Sequence, residues 1–444
     1  MSNGINRRNV LLGLSGGLLA AQLPLLSRLA QAADYKALVC VFMFGGNDGN
    51  NTVIPLDATN YGAYSQVRGG LAIAQNQVVP LSPASGTAQF GLHPDLQPLQ
   101  AIWNAGSLAV LFNTGTLVAP ITKSQYLANS APYPENLFSH ADQQNQWQAS
   151  ISQGDIRSGW GGRIADTLAP AGTLPPVISF SGPDLYTLGT SNSPLSLPAS
   201  GSFALSTDPG SYGTQIGTAF QSVAQQQSSN LTLQGAQAVL QSGLQNSTLI
   251  NRIITGSSSI DSLFSGQTSS IAQQLQRVAR LIAAQAQTGA ARQIFFVSLG
   301  SFDTHSDQLN RQSQLFQQLA PALAAFYNAT VQLGVASQVT TFTLSDFSRT
   351  FQPSANGGTD HAWGNHHFVL GGAVKGQTFY GQFPQLTLGG ASDVSTEGRW
   401  LPTQSVDQYG ATLASWFGVS AGNLATVFPN LGNFSTPNLG FMGS

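Results

Sequence analysis

Charge is what this sequence lacks most. Asp, Glu, Lys and Arg make up 8% of its 444 residues, against about 25% in an average soluble chain. Only three lysines (Lys36, Lys123, Lys375) and two glutamates (Glu135, Glu397) occur, and Gln, Asn, Ser and Thr supply the missing polarity. With a formal net charge of −2 there is no basic footprint, so no nucleic-acid partner is expected. The single cysteine, Cys40, excludes an internal disulfide and a multi-cysteine zinc or iron–sulfur site. What is present is apolar material: 42% of the chain is hydrophobic and 9% aromatic, enough for a sizeable core. The 48 glycines and 22 prolines make it turn-rich without a collagen period.

The first 32 residues read as an address. Arg7-Arg8 precedes a weakly apolar stretch to about Leu26, then Ala30-Gln31-Ala32. A positive head, a modest apolar run and an A-x-A site make a signal peptide, too short and Gly-rich for a stable membrane span. The paired arginines give it a twin-arginine character, with Asn6 where Ser or Thr is commoner. The expected partner is the twin-arginine export machinery, and the mature protein, residues 33–444, is expected in the periplasm or outside the cell.

Residues 37–44 are apolar at both parities and end at Gly45-Gly46, which suits a strand buried on both faces of a parallel sheet. Similar runs occupy 108–112, 294–299 and 339–344. Helical periodicity separates the last two, with Leu315, Leu319, Leu323 and Phe326 on one face of 312–334. Ile271, Leu275, Val278 and Ile282 mark a preceding helix. Strand–helix–strand order argues for a layered α/β domain. About 168–215 the composition shifts to Pro, Ser and Gly, read as short strands and loops. The Gln- and Ser-rich stretch 214–250 has helical spacing but equally suits a polar tract. One domain with an insertion at about 168–265 is expected.

Each apolar strand runs into a turn carrying a carboxylate. Asp48 follows the first, Asp303 and His305 the second, and Asp346 with Arg349 the third. A fourth segment holds Asp360, His361, His366 and His367. In an open parallel sheet the C-terminal strand ends share one edge, so these loops converge on one crevice. Mixed carboxylate and imidazole donors there suit a divalent metal, with zinc, manganese and calcium all open. His93 opens a helix and reads as a capping residue. Ser139, beside His140, is either a nucleophile or part of an ordered loop. Arg349 suits a phosphate or sulfate oxygen, or a salt bridge to a neighbouring aspartate.

These segments are similar to a known family. The matching residues are Phe44 through Gly49, Leu92-His93-Pro94, Ser139-His140 with Gln144 and Trp147, and Gly159 through Arg163. Later come Gly300 through His305 with Gln308, Ser345 to Thr350, Gly358 through His361, and Val406 to Thr412. Together they resemble the domain of unknown function 1501 family, a group of twin-arginine-exported bacterial proteins placed with the alkaline-phosphatase and sulfatase-like superfamily. The resemblance implies an alkaline-phosphatase-like α/β three-layer sandwich with a mostly parallel central sheet. It further implies a site with two metals around a Ser, Thr or modified Cys nucleophile. By order along the chain Asp48 is similar to the first ligand, Asp303 and His305 to the central pair, and Asp346 to the Asp of an Asp-His dipeptide. His361 or His366 is similar to the last ligand. Phe347 stands where the dipeptide's His belongs, so Asp360-His361 substitutes for it or the second metal is missing. Thr52 and Ser139 compete for the nucleophile. The resemblance thus implies a metal-dependent hydrolase of a phosphate or sulfate ester, carried on a small molecule or a polymer. A non-catalytic exported protein that binds a metal or an envelope polymer is the alternative.

Overall fold

Lys36–Met43 forms the first strand, β1, and its alternation shows why the run is apolar throughout. Leu38, Cys40 and Phe42 enter one core, while Ala37, Val39, Val41 and Met43 enter the other. The computed structural model describes residues 35–87, 89–170, 172–203, 213–226 and 229–443. The expected signal peptide lies outside the described residues.

The remaining strands of the central sheet are β2 (Leu108–Gly115), β3 (Val177–Ser179), β4 (Leu195–Ser196), β5 (Arg292–Leu299), β6 (Val339–Ser345), β7 (Asn365–Leu370), β8 (Thr378–Tyr380) and β9 (Gln404–Ser405). Their order is β8-β2-β7-β6-β1-β5-β3-β4, with β9 paired to β2 beside this path. In the centre, Cys40 lies level with Phe296 of β5 and Phe342 of β6, all parallel. Only β7 runs against its neighbours. The Pro- and Ser-rich segment therefore adds β3 and β4 to the edge of this sheet.

Helices cover both faces. They are α1 (His140–Ala149), α2 (Trp160–Leu168), α3 (Gly213–Ala224), α4 (Leu231–Thr255), α5 (Ser270–Ala283), α6 (Gln308–Gln332) and α7 (Val406–Phe417). On one face α5 and α6 bury Ile271, Leu275, Val278, Leu319, Leu323 and Phe326 against the odd-numbered side of β1. On the other, Trp147, Trp160, Ile164, Tyr409 and Leu413 pack on the even-numbered side. Each such fully buried side chain contributes about 1.5–3 kcal/mol, and two layers of them sandwich the sheet. The architecture is a three-layer α/β sandwich with a mostly parallel sheet.

Two expectations shift. The helix read as 312–334 starts at Gln308, four residues early. Its start buries Gln308 and, one turn on, Gln312 rather than apolar residues, which hides the helical period. The Gln-rich stretch folds as α3 and α4, and apolar residues such as Ile216, Val223, Leu231 and Leu233 remain exposed on them. Among the described residues no helix is long and apolar enough to cross a membrane.

Candidate metal centre

Four loops and one helix end meet at the C-terminal edge of the sheet. β1 leaves through Gly45 (φ 111°) and Gly46 (φ 79°), a backbone region costly for any side chain. A Cβ on Gly45 would strike the Asp303 and Phe302 backbone, and one on Gly46 the Phe347 ring. The glycine pair lets the β1 exit lie between the other two loops. A Cβ on Gly358 would likewise collide with the His305 backbone, so that glycine lets the 358–361 segment close onto the Asp303 loop.

Asp303 Oδ1 is the point of convergence. His305 Nε2 lies 3.0 Å from it, His361 Nε2 3.4 Å and His140 Nε2 3.5 Å. In each of the three imidazoles the other nitrogen is held from behind. His140 Nδ1 meets Asp346 Oδ2 at 2.7 Å, His305 Nδ1 meets Asp360 Oδ1 at 3.0 Å, and His361 Nδ1 donates to the Phe138 carbonyl at 2.7 Å. Acceptors on the Nδ1 of His140 and His361 leave a lone pair on each Nε2, the arrangement of metal-ligating histidines, while His305 Nε2 lies within hydrogen-bonding distance, 3.0 Å, of His361 Nε2. His140 Nε2 is buried and has no hydrogen-bond partner. Donor atoms of His140, Asp303 and His361 all lie within 4.8 Å of one another. These residues fit a divalent cation: two imidazole nitrogens and a carboxylate oxygen face one point.

The supports are built with equal care. Asp346 is fully buried; one oxygen accepts from Gly45 N at 3.0 Å and the other from Gln144 Nε2 at 2.7 Å. Phe347, in the place expected for a histidine, stacks under His361 at 4.6 Å and beside His140 at 4.8 Å. It is an apolar floor for two imidazoles instead of a third donor. Burial works against an ionised Asp303, but the Arg349 hydrogen bond and charge, with the nearby histidines, hold its carboxyl below the usual range. Hydrogen bonding to Asp346 outweighs burial and raises His140. Burial lowers His361 despite the Phe138 carbonyl. His305 and Asp360 are the exposed members, at the mouth.

Residues 35–397 match the model of a family described as "Protein of unknown function (DUF1501)". The chain belongs to that family. No curated protein matches this DUF1501 chain. Among solved structures it is similar to Ps i-CgsB in complex with k-i-k-neocarrahexaose, at 8% identity and TM-score 0.35 over 91% of this chain and 77% of that one. It is similar to the lipoteichoic acid synthase LtaP from Listeria monocytogenes at 8% identity and TM-score 0.34, over 88% and 74%. The PsFucS1 sulfatase from Pseudoalteromonas sp. aligns at 8% identity and TM-score 0.36, over 94% and 73%.

Of the residues singled out in the sequence of this DUF1501 member, Asp303, His305, Asp346, Asp360, His361 and Arg349 come together. Asp346 and Asp360, expected as ligands, stand behind His140 and His305, and Asp48, His366, Thr52 and Arg349 also differ from the roles expected of them. Asp48 caps a short helix, pairs with buried Arg68 and accepts from Gln308 and Asn50, so both its oxygens are occupied and, among the described residues, no imidazole bonds to them. His366 sits in β7, where Nδ1 accepts from Asn113 N at 3.0 Å and the ring packs on Phe383; burial lowers it to about 3. The segment read as a loop there is a buried antiparallel strand. Thr52 is buried and donates its hydroxyl to the Asp48 carbonyl at 2.7 Å. Arg349 is fully buried, with its donors committed to the Gly45, Gly46, Phe302 and Thr359 carbonyls and to Asp303; it clamps the loops and is not aimed at a substrate oxygen. Ser139 stands beside the cluster as the N-cap of α1, donating to Asp142 at 2.6 Å. His140 was legible only as half of an ambiguous Ser-His pair, because no spacing links residue 140 to residue 303.

Proposed function

We propose that this protein is an exported metal-dependent hydrolase of phosphate or sulfate esters that works with one divalent cation held by His140, Asp303 and His361. The observation that carries this reading is the convergence of three imidazole Nε2 atoms on Asp303 Oδ1, each with its Nδ1 occupied. The imidazole-rich donor set favours zinc or manganese over calcium. One cation rather than two is proposed because Arg68, Gln308 and Asn50 occupy both Asp48 oxygens and, among the described residues, no imidazole bonds to them.

When bound, the cation polarises an ester oxygen and makes a neighbouring water more acidic. Asp346 and the Phe138 carbonyl keep His140 and His361 in the donating tautomer, and Arg349 keeps Asp303 ionised. With the Thr52 and Ser139 hydroxyls committed to other partners, water is the attacking group. His305, exposed and oriented by Asp360, takes the water's proton at Nε2 and returns it to the departing alcohol oxygen. The O–P or O–S bond breaks and the products are the free alcohol and the inorganic anion or its monoester. The reading assumes passage through the twin-arginine pathway to the periplasm or beyond, and one domain over 33–444 with an insertion at about 168–265.

The commitment of both hydroxyls also favours a second reading, a non-catalytic exported protein that holds a metal or an envelope polymer. Metal analysis together with a panel of phosphomonoester, phosphodiester and sulfate-ester substrates separates the two. Asp303→Asn is expected to lose both metal and hydrolysis. His305→Ala is expected to keep the metal and lose about 100-fold or more in rate, the contribution of a general base. Tight metal binding with no turnover across the panel moves the second reading ahead.

A further inference from the structure

A second concavity lies on the same edge of the sheet, beyond β2. It is an open cleft of about 550 Å³ between the 381–382 loop, the β9 region and the 434–439 segment, within the size range of small-molecule sites. Its lining contains no charged side chain. The amides of Gln382 and Gln404 and the hydroxyls of Thr403, Ser435 and Thr436 contribute to it. Gln404 Oε1 accepts from Thr114 at 3.3 Å; among the described residues its Nε2 and the other four side chains have no protein hydrogen-bond partner. Ile121, Pro402 and Phe434 also line the cleft. Gly381, at φ 86°, keeps that wall thin, since a Cβ there would press on the Gln404 amide at 2.8–2.9 Å.

We infer that this cleft is a binding site for an uncharged saccharide segment. Amides and hydroxyls donate and accept at once, which matches the paired character of sugar hydroxyls, and the apolar residues in the same lining match the C–H faces of a sugar ring. A charged ligand would enter without a counter-charge, at the expense of its hydration. The cleft and the metal centre share a wall. Leu117, Leu401 and Phe434 line the cleft and belong to a small core with Trp363, and Phe138 packs against that core while its carbonyl holds His361. The site is distinct from the cation cluster, and the inference does not depend on hydrolysis.

The test is titration of the full chain with hexaoses of glucose (cellulose- and starch-type linkages), xylose and N-acetylglucosamine, followed by calorimetry and by ligand-observed NMR. At least one neutral hexaose is expected to bind with a dissociation constant at or below the millimolar range. Ser435→Trp, which fills the cleft from an exposed position, is expected to weaken binding at least tenfold, and Gln382→Ala to weaken it measurably; both are expected to leave metal content unchanged. His361→Ala is expected to lose metal and keep the saccharide, so failure of the hydrolase reading is separable from failure of this one. Absence of binding across the neutral panel, unchanged affinity in Ser435→Trp, or loss of saccharide in His361→Ala overturns the inference.

Discussion

Replacing Asp346 by Asn tests whether the metal centre is held from behind. The Asp346 side chain is fully buried, and three hydrogen-bonding groups face its two oxygens: Gly45 N at 3.0 Å, Gln144 Nε2 at 2.7 Å and His140 Nδ1 at 2.7 Å. An Asn side chain has the same shape but one oxygen. Placed toward Gly45, that oxygen leaves an NH₂ against the Gln144 amide and the His140 N–H. Placed toward His140, it leaves the NH₂ against Gly45 N–H. Either way a hydrogen bond to a charged group is lost, about 1.5–3 kcal/mol, and in the first placement His140 is free to rotate or to change tautomer. Much of that loss is expected to appear in metal affinity, because outer-sphere partners of ligating histidines carry about 10–100-fold. The assay is calorimetric titration of chelator-stripped protein with zinc and, separately, manganese. The expected result is one site per chain in both proteins and a 10–100-fold weaker constant in Asp346→Asn. Unchanged affinity in a folded Asp346→Asn protein would refute the idea that Asp346 orients His140 as a donor.

Two further outcomes follow from buried groups outside the cluster. Burial lowers His366 and His367 to about 3 and His93 to about 4, so they are neutral when folded. Above pH 6.5 these rings are neutral folded or unfolded; below it the unfolded chain takes up protons that the folded one refuses, and stability falls until the folded values are reached. Each ring contributes up to about 1.4 kcal/mol per pH unit over that window, and urea midpoints from pH 7 to 4 are expected to fall less steeply in His366→Asn. Arg68→Met strands the Asp48 carboxylate without its guanidinium, and breaking a buried pair in this way costs about 3–5 kcal/mol. Chemical denaturation is expected to report that loss, and a variant as stable as wild type would mean Asp48 has another counter-charge.

Much of the fold was legible because its causes are local. A run such as residues 37–44, apolar at both parities, has no solvent face to offer and can only be a strand covered twice. The edge at which chemistry gathers was legible for a related reason: parallel strands bring their exits together, so Asp48, Asp303 and Asp346 had to be neighbours. The start of α6 was hidden because its first two turns bury glutamines that bond to Asp48, and hydropathy does not register them. β7 was hidden because its first residues are Asn and His, read as polar loop, although the fold buries them.

What tertiary structure alone decided is which members of this crowd face one another. Charge in a low-dielectric crevice is settled by whichever partner arrives, and the sequence does not say which will. Arg68, twenty positions downstream, reaches Asp48 and removes it from the set. The N-terminus of α1 brings His140 to Asp303 across more than a hundred and fifty residues, over the ring of Phe347. Composition and periodicity fix a strand's burial because they act along the chain; the pairing of Asp48 with Arg68 and two amides, and of Asp303 with Arg349 and three imidazoles, acts across it.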